Sequence, residues 1–410
     1  MNPELPPSAW VRVFLPFALG YYLSYLLRTV NAVISPALSA ELGLSAANLG
    51  LLTSAYFLAF AIAQIPVGIA LDRYGPRRVE AALMVLTAAG AASFALGDNL
   101  LELGIARALI GAGVSACLMG ALKGFALWYP PERQSSMAAF VMASGAMGAL
   151  SASLPLEAAL PFIGWRGVFW AIAALALLSA AWLLWALPPS HPPVAPAGLG
   201  TQLRTVASIY AAPSMLRLGP AFTLMVGGFM ALQGLWAVPW LLEVDGLTLT
   251  AAARVLLMLS AGALLGQLVI GFFATRWARR GVRPLHLLKW GWSGVLLAEL
   301  AIVLGLAPPL LLWFGLGLLS AASSQSYLCA AQYFPGAMFG RVSTALNLLC
   351  FVGAFALQWG MGVALDQLAR FGHGPVTALK WTFAGLLVLQ LLACVRIFGM
   401  RDPAPAAARN

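Results

Sequence analysis

The segment "GIALDRYGPRR", Gly68–Arg78, decides how this chain folds. It joins two apolar runs, 46–71 and 79–97, and sets Asp72, Arg73, Arg77 and Arg78 where they meet. A spanning helix needs about 20 mostly apolar residues, so both runs are long enough to cross a bilayer. Working outward gives twelve such runs: 11–38, 46–71, 79–97, 101–127, 134–158, 163–187, 216–243, 249–274, 285–305, 309–333, 340–366 and 376–400. Of the 410 residues, 61% are apolar and 9% charged. Soluble domains are about 45–50% apolar and about 25% charged, so composition alone places the chain among polytopic membrane proteins.

Charge is distributed as punctuation. The chain carries 23 Lys+Arg against 13 Asp+Glu. Nucleic-acid binders gather such an excess on one soluble face; here it falls between apolar runs, so no nucleic-acid partner is expected. With the N-terminus in the cytosol, sixteen basic residues lie inside and Arg166, Arg254, Arg370 and Lys380 outside, as the positive-inside rule requires. Arg28, Arg107 and Lys123 remain, all within spans. Glu4 and three prolines precede the first run, which is expected to be a retained span and not a signal peptide. Cys117, Cys329, Cys350 and Cys394 fall in apolar runs without metal-ligand spacing and are expected to be buried thiols. His191, His286 and His373 stand at loops or span ends, and no nucleophile–base pair appears. Neither an enzyme, a metal nor a cofactor is expected.

The Pro-rich stretch 187–214 divides the runs six and six, giving bundles over 1–187 and 216–410 and a cytosolic linker over 188–215, with a short surface helix near 201–210. "LWYPPERQSSMAAFVMASGAMGAL" in the first half is echoed by "QYFPGAMFGRVSTALNLLCFVGAF" in the second: Pro130 to Gly148 and Pro335 to Gly353 have equal spacing. Internal repeats of this kind build many transporters, with the site between the halves.

In its residues Gly68, Asp72, Arg73, Gly75, Arg77 and Arg78 the opening segment resembles the loop signature of the major facilitator superfamily, G-x-x-x-D-R-x-G-x-[KR]-[KR]. Leu71 is bulkier than the small residue usual there, and Pro76 replaces a frequent basic one. "GFFATRWARRG" after span eight keeps Gly271 and the basic cluster but lacks the Asp. "RALIGAG", with Arg107, Gly111 and Gly113, resembles the family's span-four motif, and "GWRGVFW" its entry to span six. The resemblance implies an all-α protein of twelve transmembrane helices, in two six-helix pseudo-symmetric halves around a central cavity. It also implies that Gly68, Asp72, Arg73, Gly75 and Arg77 latch the halves on the cytosolic face. The plainer reading of that loop is topological.

Arg28 carries the functional question. A mid-span arginine costs about 2.5–3.5 kcal/mol on insertion scales and faces a wet cavity or a partner. Helical spacing puts Tyr21, Tyr25, Arg28 and Asn31 on one stripe. The acids of the first half, Glu80, Asp98, Glu102 and Glu157, stand near span ends, which leaves a substrate anion as Arg28's partner, with a structural ion pair as the alternative. In the family, span one lines the cavity, and an arginine there resembles the organic-anion and phosphate-ester branches. Lys123 either snorkels or adds a second positive point. Arg107 either pairs with Asp98 or Glu102 or serves gating. Gln233, Trp236, Tyr327, Asn347 and Gln358 offer uncharged polar groups from the second half, for substrate or for helix contacts. Glu299 is the mid-span acid available for proton coupling, in a span that is peripheral in the family.

The reading is a monomeric secondary transporter of a small organic anion, of carboxylate or phosphate type, in a bacterial inner membrane with both termini cytosolic. The competing readings are an exporter of an amphiphilic metabolite, drug or siderophore, and a non-transporting sensor or scaffold.

Overall fold

The structure, a computed structural model, describes residues 10–188, 199–335 and 338–400. Among the described residues ten helices are long and apolar enough to cross a membrane. Two more complete the twelve: Pro131–Ser151 (span 5) and a segmented rod, Pro309–Ser320, Ala321–Ser324 and Gln325–Ala331 (span 10). The others are Leu15–Leu42 (span 1), Ala46–Tyr74 (2), Pro76–Leu96 (3), Leu100–Trp128 (4), Leu154–Ala186 (6), Pro213–Glu243 (7), Leu249–Arg279 (8), Pro284–Leu304 (9), Phe339–Arg370 (11) and Pro375–Phe398 (12). A helix over Leu199–Ala211 precedes span 7. The Pro-rich part of the expected linker, 189–198, the termini 1–9 and 401–410, and residues 336–337 of the second repeat copy lie outside the described residues.

Local chemistry sets the ends. Pro76, Pro131, Pro284, Pro309 and Pro375 each open a helix, where the missing N–H costs nothing. The Ser45 and Asn99 side chains accept from the backbone N–H of Asn48 and Glu102, capping spans 2 and 4. Gly43 and Gly305 take the left-handed conformation that closes spans 1 and 9. One boundary differs from expectation. Span 5 stops at Ser151 and not near 158, because Ser153 has non-helical backbone angles and Pro155 starts a new helix. That helix bends at Gly164, whose φ of 63° no β-carbon would tolerate easily, and runs on as span 6.

The repeat is structural. Gly148 brings span 5 onto the Tyr22 carbonyl of span 1, and Gly353 brings span 11 onto the Thr223 carbonyl of span 7. Spans 4 and 10 both break into 3-10 helix at mid-length. Both breaks are met by an amide from a neighbour: Gln64 of span 2 donates to Ser115 O at 3.3 Å, and Gln267 of span 8 to Ala321 O at 3.4 Å. In hydrocarbon a freed carbonyl needs such a donor.

The loops that follow spans 2, 4, 8 and 10 define a basic end; the opposite, distal end carries the turns after spans 1, 3, 5, 7, 9 and 11. At the distal end the halves join. Asp366 of span 11 accepts from the backbone N–H of Ala46 (3.1 Å) and Ala47 (3.0 Å), capping span 2 from across the interface. Thr250 donates to Glu157 at 2.7 Å. Gly50 and Gly362 let spans 2 and 11 touch backbone to backbone.

Candidate functional site

Span 1 carries Arg28 midway along its length, about 20 Å from either end at 1.5 Å per residue. That is deeper than an outer boundary near 38 implies, since the helix runs on to Leu42. The guanidinium stands between the halves. Its carbon lies 4.3 Å from the Tyr25 ring centroid, 6.0 Å from Phe60 of span 2 and 5.2 Å from Phe351 of span 11. Phe60 and Phe351 stack at 4.0 Å. Cation–π contacts of this kind are worth about 0.5–2 kcal/mol each but do not satisfy N–H groups. Arg28 Nε has no hydrogen-bond partner, and among the described residues no carboxylate pairs with this side chain.

Tyr21 stacks edge-on to Tyr25 at 5.1 Å, and both rest on Gly145 of span 5, where a β-carbon would collide with them. Tyr327 of span 10 is half-buried and packs against Phe222 at 5.7 Å. Asn347 is half-buried on span 11. Gln358 is completely buried, with neither amide atom partnered, close to the point where Gly234 approaches the Arg28 carbonyl. An amide with no partner costs about 1–3 kcal/mol, so this centre holds unused hydrogen-bonding capacity.

Other expected site residues are engaged by partners of their own in this structure. Asn31 is fully buried and donates to Thr53 at 2.9 Å, tying span 1 to span 2, while its Oδ1 has no partner among the described residues. Gln233 donates to Ser260 at 3.1 Å, and Trp236 to the Gln358 carbonyl at 3.0 Å, both as buried helix contacts. Lys123 adds no charge beside Arg28: it reaches the basic end, donating to Asp72 at 2.5 Å and to Leu71 O at 2.9 Å. Arg107 meets neither Asp98 nor Glu102. It is fully buried, donates to Leu27 O at 3.0 Å and lies over the Tyr56 ring at 5.3 Å. Asp98 is taken by Arg166, which also pairs with Glu41. Glu299 accepts from Gln390 of span 12 at 3.3 Å, away from the centre.

The signature loop works inside its own half. Asp72 holds Lys123, Arg73 lies over its neighbour Tyr74 at 5.2 Å, and Arg77 donates to Leu184 O of span 6. Gly75, at φ 77°, makes the turn between spans 2 and 3. Gly68 packs against nothing, so a close helix approach there is not the reason for that glycine in this conformation.

Phe60 and Phe351 were invisible as site residues from sequence, because 21 phenylalanines populate the spans and only tertiary pairing singles these out. Asp366 likewise gave no signal: it caps a helix 320 residues away in the chain.

A family model described as Major Facilitator Superfamily matches residues 17–357. The Hexuronate transporter of Escherichia coli (strain K12) is 26% identical over 375 residues, 90% of this chain and 81% of that protein. The Chloramphenicol resistance protein of Streptomyces lividans is 28% identical over 375 residues, 88% of this chain and 89% of that protein. A crystal structure of a bacterial homolog to the human lysosomal transporter Spinster, in an inward-facing and occupied conformation, overlays with a TM-score of 0.78 at 19% identity, covering 96% of this chain and 97% of that one.

Proposed function

The chain belongs to the Major Facilitator Superfamily, a family of transporters and not of enzymes, and from that premise we propose that it carries a small organic anion of the hexuronate kind by alternating access. The observation that carries this reading is Arg28: a guanidinium at mid-membrane, between the halves, ringed by aromatics and lacking a carboxylate. A carboxylate ligand supplies the missing acceptor, and a guanidinium fork receives it bidentately. Tyr21, Tyr25, Tyr327, Asn347 and the unpartnered Gln358 amide supply the donors and acceptors a polyhydroxylated body requires. A hexuronate relative matched along most of both chains supports the same class.

The basic end is placed in the cytosol of a bacterial inner membrane, with a monomer as the transporting unit. The distal contacts Asp366–Ala46 and Glu157–Thr250 then close the outer side. The signature loop, whose contacts described above lie within the first half, is assigned to latch the inner side in the opposite state. The helix over Leu199–Ala211 belongs to the cytosolic linker between bundles.

The test is calorimetric binding of galacturonate and glucuronate to wild type and Arg28→Ala. Loss of one charge-assisted bidentate contact, about 1.5–3 kcal/mol, weakens affinity by about ten- to a hundredfold. The chloramphenicol-resistance relative favours a second reading, export of a neutral amphiphile. Chloramphenicol binding that persists in Arg28→Ala, with no binding of either uronate to wild type, selects that reading and ends the first.

A further inference from the structure

The first half also hides a carboxyl with no hydrogen-bond partner among the described residues. Glu80 lies about one helical turn inside span 3, yet it is completely buried. Among the described residues neither of its carboxyl oxygens has a hydrogen-bond partner. The oxygens sit against two glycines. A β-carbon at Gly20 of span 1 would stand 2.8 Å from Oε1, and one at Gly120 of span 4 would collide with Oε2. The same point on span 1 is 3.8 Å from the Cys117 thiol of span 4. Three helices therefore meet at a carboxyl-shaped gap that any larger residue at 20 or 120 would fill.

Among the described residues no cation reaches it. On span 4, Lys123 is held by Asp72 and Leu71 O, and Arg107 by Leu27 O. On Glu80's own helix Arg77 donates to Leu184 O, and Arg78 is exposed. From span 1, Arg28 faces the Tyr25, Phe60 and Phe351 rings, and Tyr21 packs on Tyr25; neither bonds to Glu80. Arg73 of span 2 is exposed, and Glu157 and Arg166 of span 6 stand at the distal end. An ionised carboxylate without a partner in such a place costs several kcal/mol, so the group either binds a proton or moves. The cradle is made by span 1, the helix that also carries Arg28, and by span 4; a shift of span 1 that accompanies substrate binding alters both sites.

We propose that Glu80 is a proton-binding site of this transporter: its carboxylate takes up one proton to give the neutral acid when spans 1 and 4 close on it, and releases that proton to the basic-end solvent when they part. Glu299 is buried too, but it accepts a hydrogen bond from Gln390 between spans 9 and 12, and it serves as the control in the test below. The assignment rests on the transporter reading but not on the identity of the anion.

Two measurements test it. Infrared difference spectra of the purified protein across a pH titration report the C=O stretch of protonated carboxyls without any substrate. A band at neutral pH that disappears in Glu80→Gln and persists in Glu299→Gln is the expected result; a spectrum unchanged in Glu80→Gln overturns the assignment. The melting temperature of Glu80→Gln, an isosteric change, checks that the variant folds, and Glu80→Asp, which should shift the band without abolishing it, gives an independent readout if it does not. In proteoliposomes, galacturonate uptake by wild type rises with an inward proton gradient, and Glu80→Gln loses that rise. Gradient stimulation retained in Glu80→Gln, or absent in wild type, counts against the proposal. If wild type transports no galacturonate at all, the substrate reading fails alone, and the infrared result decides Glu80 by itself.

Discussion

At the scale of single residues, the contrast between Arg28 and Asn31 shows how one helix serves two purposes. They are three residues apart and share a stripe by helical spacing. Arg28 points between the halves, whereas Asn31 is spent on Thr53. A helix-to-helix hydrogen bond in a membrane is worth about 0.6–1.7 kcal/mol. Asn31→Ala is therefore expected to lower thermal stability modestly while leaving uronate affinity as it was. Paired melting curves and calorimetric titrations check this; a weakened affinity at unchanged melting temperature would return Asn31 to the cavity wall. Arg107 is fully buried with one bond, to the Leu27 carbonyl, beside the faces of Tyr56 and Phe94, and its Nε and Nη2 have no partner among the described residues.

At the scale of elements, mid-membrane helix breaks are tolerated because neighbours repair them. The 3-10 breaks in spans 4 and 10 each receive a glutamine, and the halves use the same device twice. The helix over Leu199–Ala211 is tied down differently. Tyr210 donates its hydroxyl to the Ala345 carbonyl of span 11 at 2.8 Å, and burial pushes its phenol up to about 12. An exposed tyrosine titrates near pH 10. Because the folded value is the higher one, the anchor's contribution is complete below about pH 10 and is lost as pH rises through about 12. Hydrogen exchange of this helix, taken relative to its hydroxide-catalysed intrinsic rate, is expected to accelerate across that window in wild type. In Tyr210→Phe it should already be fast at neutral pH, and equal protection in the variant would show that the bond anchors nothing.

At the scale of the whole molecule, the question is which contacts set the balance between open and closed ends. The distal end carries a charge on a helix N-terminus: the Asp366 carboxylate meets two N–H groups of span 2. Caps and dipole interactions of this kind are worth about 0.5–2 kcal/mol. Asp366→Asn keeps the shape and removes the charge, so the distal-open population should rise by about two- to thirtyfold. Distances between spin labels placed on the turns after spans 1 and 11 measure this directly. Labelling is clean because all four native cysteines are buried. An unchanged distance distribution would mean that the glycine contacts at Gly50 and Gly362 hold the distal end without the carboxylate's help.

How much was legible follows from the range of each interaction. Apolar runs, prolines at helix starts, the basic punctuation and the spacing of Gly148 and Gly353 are local or periodic signals, and they determined a twelve-span chain in two matched halves with a charged residue stranded in span 1. Hydropathy carries the fifth span on to 158 because its helix ends in an apolar stretch, where the backbone break at Ser153 leaves no hydropathy signal. Partnership, by contrast, was decided by the fold alone. Glu80 was discounted for standing near a span end, yet Gly20 and Gly120 bury it; Lys123 went to Asp72, not to Arg28; Asp366 found a helix start in the other half. Depth along a helix can be counted in residues, but burial and pairing depend on which helices converge at that depth, and that convergence is a property of the packed bundle that no single helix encodes.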